Sequence, residues 1–119
     1  MIAAPATPAI AHAVVGAPLP APARLQVSER EFRLGLSRTR VKRGAVEIEI
    51  VNFGQDPHDL VVQRRGKGGS AVGKPVAAAA VAPGGRGELA TRLAPGRYTL
   101  YCSLPGHRGR GMVATLVVR

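Results

Sequence analysis

A chain of 119 residues with a formal net charge of +10 has room for one folded unit with one modest core, and for no second domain of any size. Its single cysteine excludes an intrachain disulfide and every site built on paired thiols, whether a zinc ribbon, a thioredoxin-like pair or a two-copper centre. The basic residues are scattered, with no stacking aromatics interleaved, which argues against nucleic acid as a partner; the charge speaks to association with anionic surfaces and not to fold. Phe32, Phe53, Tyr98 and Tyr101 are the only rings apart from histidine, so the core must be aliphatic.

Residues 1–23 contain no Lys, Arg, Asp or Glu, and five prolines interrupt any helix that the alanines would otherwise form. Ala11-His12-Ala13 has the small-x-small look of a signal-peptidase site, but no positive region and no unbroken apolar run precede it. We expect an Ala/Pro-rich leader: a flexible tether, or the remnant of an export signal or membrane anchor, with His12 solvated and not a ligand.

From Arg24 onward, over residues 24–119, short runs of period-two alternation are divided by glycine and proline, the pattern of an all-β sandwich or barrel. Phe32, Leu34 and Leu36 share one face, with Glu31 and Arg33 on the other. Arg38, Arg40, Lys42 and Arg43 form a basic connection ending at Gly44 and read as a solvated loop. Val46, Ile48 and Ile50 alternate with Glu47 and Glu49 until Val51 and Phe53 take up the apolar phase, a slip that a β-bulge near Ile50 and Val51 would explain. Leu60 to Val62 continue as a strand after His58, and the basic, glycine-rich stretch from Arg64 to Lys74 reads as a surface loop. Val76 to Ala82 fits a strand or a helical turn. Pro83-Gly84-Gly85 and Pro95-Gly96 are turns, and after the second Tyr98, Leu100 and Cys102 share a face. Met112, Ala114, Leu116 and Val118 share a face in the closing strand.

Between those last two strands lies Tyr101-Cys-Ser-Leu-Pro-Gly-His-Arg-Gly-Arg-Gly-Met112. Cys102, His107 and Met112 offer a thiolate, an imidazole and a thioether, the set that suits copper in a trigonal site with a weak axial methionine. A second imidazole is needed, and His58 in Asn52-Phe-Gly-Gln-Asp-Pro-His-Asp-Leu60 is the candidate donor. A soft thiolate with two imidazoles is acceptable to both oxidation states of copper. Gly106, Gly109 and Gly111 allow a tight backbone path between the strands. The alternatives are an inert buried thiol, a hydrogen-bonded loop histidine and a core methionine.

These residues resemble the cupredoxin, or blue copper, family over roughly the last seventy positions, from Val46 onward. A cysteine, four residues, a histidine, four more and a methionine is most similar to the rusticyanin and auracyanin type of loop. Leu-Pro-Gly-His and Gly-Met within it, Pro-Gly-x-Tyr before it and Pro-His upstream are frequent in the family. The resemblance implies a Greek-key β-sandwich binding one mononuclear type 1 copper through His58, Cys102 and His107, with Met112 axial. It implies that His107 shows an edge to the surface as the electron port while His58 stays buried. Many members carry Asn or Ser after the upstream histidine, where this chain has Asp59.

The expected function is that of a one-electron carrier, not an enzyme, since only three histidines exist and a catalytic copper centre needs further ones. Arg108 and Arg110 flank the proposed port, so we expect a protein redox partner with an acidic docking surface, a monomeric carrier, and an extracytoplasmic setting, periplasmic or envelope-associated. The competing readings are copper storage or delivery on the same scaffold, and an interaction module that uses no metal.

Overall fold

The computed structural model describes residues 19–119, together with Ala3 and Gly16; His12 and most of the leader lie outside the described residues. The strands are β1 (Ala23–Arg30), β2 (Arg33–Leu36), β3 (Arg40–Val41), β4 (Gly44–Asn52), β5 (His58–Arg65), β6 (Ala71–Val81), β7 (Arg86–Leu93), β8 (Gly96–Tyr101) and β9 (Val113–Val118). They form two sheets, ordered β2-β1-β4-β7 and β3-β9-β8-β5-β6. The chain passes from one sheet to the other after β2, β3, β4, β6 and β7, so this is an all-β sandwich wound in the Greek-key manner.

Alternation places the core. Leu25 and Val27 of β1 stand beside Ile48 and Ile50 of β4 in a parallel pairing, and Leu60, Val62, Tyr98, Leu100, Leu116 and Val118 face them from the other sheet. Each such aliphatic side chain contributes about 1.5–3 kcal/mol when fully buried. The outward residues of β4 are glutamates in ion pairs, Glu47 with Arg24 at 2.8 Å and Glu49 with Arg86 at 3.2 Å.

At one end of the sandwich the aliphatic stripe gives way to a polar pair, Glu29 beside Asn52, both fully buried. Asn52 ties down the segment leading to His58: its amide donates to Asp56 O (2.8 Å) and Val81 O (2.9 Å), and its Oδ1 accepts from Gly54 N–H (2.8 Å). Ile50, Val51 and Asn52 are buried in succession, so both faces of β4 are covered here. That covering, and not a bulge, explains the change of phase: β4 pairs with β7 in unbroken register through Val51. The irregularities lie instead between β5 and β6, at His58/Leu60 and Val62/Arg64.

Two further expectations, at residues 64–74 and at Phe32, are corrected, and the choice left open at residues 76–82 is decided. The stretch from Arg64 to Lys74 is not one loop, because β5 runs to Arg65 and β6 begins at Ala71, leaving a short 3₁₀ turn at Lys67–Gly69. Val76 to Ala82 is strand through Val81, the inner-facing Val76 and Ala78 of edge strand β6 packing on the core. Phe32 lies in the turn before β2, while Leu34 and Leu36 pack on the core as expected.

Candidate metal centre

β8 enters the core under a fixed turn. The Tyr98 hydroxyl donates to Ala94 O at 2.8 Å, pinning Pro95-Gly96, and two residues of alternation later Leu100 and Cys102 are fully buried. After Cys102 the chain turns at Leu104 to His107, where His107 N–H donates to Leu104 O (3.0 Å), passes through a 3₁₀ turn at Arg108–Arg110, and returns as β9. Met112 closes the loop on itself: its N–H donates to His107 O and its carbonyl accepts from Cys102 N–H, both at 3.2 Å. Gly111 has φ +124°, and a Cβ there would stand 2.8 Å from Phe32 O, so this position requires glycine. Gly106 also has positive φ, whereas Gly109 does not and meets open space.

His58, the first residue of β5, is brought against this loop. Its Nδ1 lies 3.1 Å from His107 Nδ1 and 3.9 Å from Cys102 Sγ, and Cys102 Sγ lies 3.5 Å from His107 Nδ1. A point equidistant from three atoms so spaced is about 2 Å from each, the bond length of a first-row metal to imidazole nitrogen and slightly under that to thiolate. His58 and Cys102 are buried and His107 is partly exposed. Met112 is fully buried beside them in the chain path. The structure therefore joins the three donors that the sequence singled out in one cluster, with the fourth bonded through its backbone to two of them.

Burial pushes the Cys102 thiol above its ordinary value, so a bound cation would favour the thiolate that this environment disfavours. Asp59 stands where the family's frequent Asn or Ser would be: its Oδ1 accepts Ser103 N–H at 2.6 Å and its Oδ2 accepts the Ser103 hydroxyl. The carboxylate thus clamps the residue that follows the cysteine.

The residue that sequence reasoning missed is Glu31. Its Oε1 accepts Asp56 N–H (2.6 Å), Gln55 N–H (2.8 Å) and His58 Nε2–H (3.1 Å). These contacts, the Asp56 N–H foremost, pull its pKa down to about 2. An ionised carboxylate only accepts hydrogen bonds, so in the neutral imidazole the His58 proton sits on Nε2 and the Nδ1 lone pair faces Cys102 and His107. Gly54 makes room for this carboxylate, since a Cβ there would fall 2.5 Å from Glu31 Oε2. The next residue, Phe32, meets the other histidine edge-on at 5.2 Å, so one turn supports both imidazoles. No spacing rule marks an acid in the turn after β1; its distance along the chain from His58 hides it.

Around the partly exposed His107, guanidinium groups lie on rings: Arg108 over Tyr101 at 4.1 Å, Arg110 over Phe32 at 4.9 Å and, farther along the same end, Arg30 over Phe53 at 4.9 Å. Phe53 is half exposed and shares this end with Leu104 and Pro105.

A family model described as copper binding proteins, plastocyanin/azurin family, matches residues 22–119. Among solved structures, the chain is similar to reduced auracyanin from the photosynthetic bacterium Roseiflexus castenholzii, with a TM-score of 0.64 at 17% identity over 84% of this chain and 99% of that one. Auracyanin B aligns with a TM-score of 0.64 at 22% identity over 84% and 91%. A multicopper oxidase aligns at 0.60 and 16% identity over 84% of this chain but 45% of its own. At these identities the likeness establishes the shared fold. No curated protein matches the chain.

Proposed function

We propose, from the premise that this chain belongs to the plastocyanin/azurin family of copper-binding proteins, that it is a type 1 copper protein carrying one electron at a time between protein partners. His58, Cys102 and His107 would hold the metal, with the thioether of Met112 as a weaker fourth donor. The observation that carries this reading is the cluster of Nδ1, Nδ1 and Sγ within 4.8 Å of one another. Bound copper supplies a Cu(II)/Cu(I) couple.

The chain's own groups do the rest. Glu31 sets the His58 tautomer and Asn52 fixes the loop ahead of it, while the His107–Met112 backbone bond joins one ligand to the next. A shell held this way changes little between oxidation states, which favours electron transfer over metal release. The domain carries no catalytic role in this reading. It works as a monomer, over residues 24–119, outside the cytoplasm, with residues 1–23 as leader or tether. Among the described residues no helix is long and apolar enough to cross a membrane.

The arginines stacked around His107 present guanidinium edges to the solvent, and a partner bearing carboxylates fits them. Electron exchange with such a partner should slow as salt rises.

The test is the absorption and electron-spin spectrum of the copper-loaded protein. An intense visible thiolate-to-copper band that is bleached by reductant, returns on oxidation and disappears in Cys102→Ser is expected. A colourless cupric complex would sink the assignment. Slow copper loss to a chelator, together with fast self-exchange, separates the carrier from a storage or delivery protein.

A further inference from the structure

The outer face of the five-stranded sheet has a feature that the metal centre does not use. Tyr98, Leu100, Leu116 and Val118 fill the core, so the alternate residues of β8 and β9 look outward. Register then sets them in transverse rows. Arg40 lies opposite Val117, Val117 opposite Arg97, and Arg97 opposite Arg65; the next row toward the metal centre is Thr115, Thr99 and Gln63.

Arg65 and Arg97 are thus direct cross-strand neighbours, an arrangement of like charges that destabilises a sheet. Among the described residues neither has a carboxylate partner: the glutamate–arginine pairs all belong to the four-stranded sheet. Arg65 is held instead by neutral acceptors, its Nε–H donating to Thr99 Oγ1 at 2.7 Å and its Nη1 to Gly69 O at 3.5 Å. Arg108, fixed over the Tyr101 ring, approaches from the ligand loop. Arg65, Arg97, Arg108, Thr99 and Thr115 line one groove together with Gly66, and no Asp or Glu lines it.

Arg65 and Arg108, tethered to a hydroxyl and a ring, lose little further freedom on binding, and the donor forks of guanidinium groups match oxyanions. Three of them exceed the charge of one carboxylate. A phosphate group carries more charge and more acceptor oxygens. We propose that this groove binds a phosphate group, held by Arg65, Arg97 and Arg108, whether as free phosphate or as the phosphodiester of an anionic lipid head group. The site is independent of the copper reading, although Arg108 borders both. A phosphate bound there neutralises part of the positive rim around His107 and so weakens docking of a carboxylate-bearing partner.

The test uses the copper protein in its reduced, diamagnetic form, titrated with inorganic phosphate while amide and arginine side-chain nitrogen resonances are followed. Sedimentation with phosphatidylglycerol and phosphatidylcholine vesicles runs in parallel. Shifts at Gly66, Gly69 and the three arginines are expected. Arg97→Ala should weaken binding about tenfold, the loss of one charge-assisted contact, and Arg97→Lys by less. Arg92→Ala, the same change of charge on the other sheet, should alter it by less than about twofold. Arg97→Ala removes a repulsive pair, so its melting temperature should not fall, and a given phosphate concentration should raise that temperature less in Arg97→Ala than in the unaltered protein. A response to phosphate alone identifies a free-phosphate site, and one to phosphatidylglycerol alone a head-group site; either supports the proposal. Equal weakening by Arg97→Ala and Arg92→Ala, no response to either phosphate source, or tighter groove binding of polyglutamate than of phosphate overturns it.

Discussion

Glu29 and Glu31 stand two residues apart at the same end of the sandwich and meet opposite treatment. Glu29, the last inward residue of β1, is fully buried, and neither of its oxygens has a hydrogen-bond partner among the described residues. Burial, reinforced by the charge of Asp59, pushes its pKa up to about 8. Glu31, in the turn just beyond, keeps some exposure and accepts three N–H groups on one oxygen, and its pKa falls to about 2. One carboxyl is therefore held neutral and the other ionised at neutral pH. The difference teaches that supplied donors, more than nearness to the metal centre, decide where this fold keeps negative charge.

The largest expected effect tests the buried member of the pair. Glu29 has a folded pKa above its unfolded value of 4.5, so the folded state holds the extra proton between 4.5 and about 8. Its share of stability is full below that window and is lost as pH rises through it, by on the order of 1 kcal/mol per pH unit. Urea unfolding from pH 5 to 8 should show this decline, and Glu29→Gln should remove it. A variant with an undiminished slope would mean that another group titrates.

Glu31 comes next. Replacement by Ala frees the His58 tautomer and should speed copper loss to a chelator by about 10- to 100-fold, with Gln intermediate. A visible spectrum that changes along with the rate separates positioning from mere loss of stability. The pH dependence has the opposite sense to that of Glu29. Glu31 has a depressed pKa, so its stabilisation is present above 4.5 and disappears as pH falls toward about 2. The acid limb of the unfolding profile should flatten in Glu31→Gln.

Gly54→Ala drives a methyl group into the Glu31 carboxylate and should destabilise the fold by about 1–3 kcal/mol, measured by urea midpoint; the loss should shrink in the Glu31→Ala background. The smallest effect is expected at Asp59, whose carboxylate clamps Ser103. Asp59→Asn removes negative charge near the thiolate and should raise the reduction potential by less than about 59 mV, a tenfold change in the redox equilibrium. A lowered potential would overturn that electrostatic account.

The candidate donors were legible because their chemistry is rare: one thiol, a nearby imidazole and a thioether on adjoining strand ends stand out in the sequence. The core faces of β4, β8 and β9 were legible because alternation alone assigns them. Glu31 was read as the outward neighbour of Phe32 on a strand, since alternation takes no account of where a strand stops. Val51 suggested a bulge because its burial comes from the covering of both faces of β4, which no local pattern encodes. Residues 76–82 stayed ambiguous because the helix preference of the alanines at 77–80 competes with the strand preference of Val76 and Val81, and pairing with β5 decides it.

The order of residues by itself determined an all-β chain, an aliphatic core and the candidate donors of a metal centre, since side-chain type and period are local properties. Only the tertiary structure decided which imidazole nitrogen faces the thiol, which carboxyl keeps its proton and which arginines oppose one another without a counter-charge. Each of these depends on distances across strands far apart in the chain, and desolvation and hydrogen bonding act through those distances.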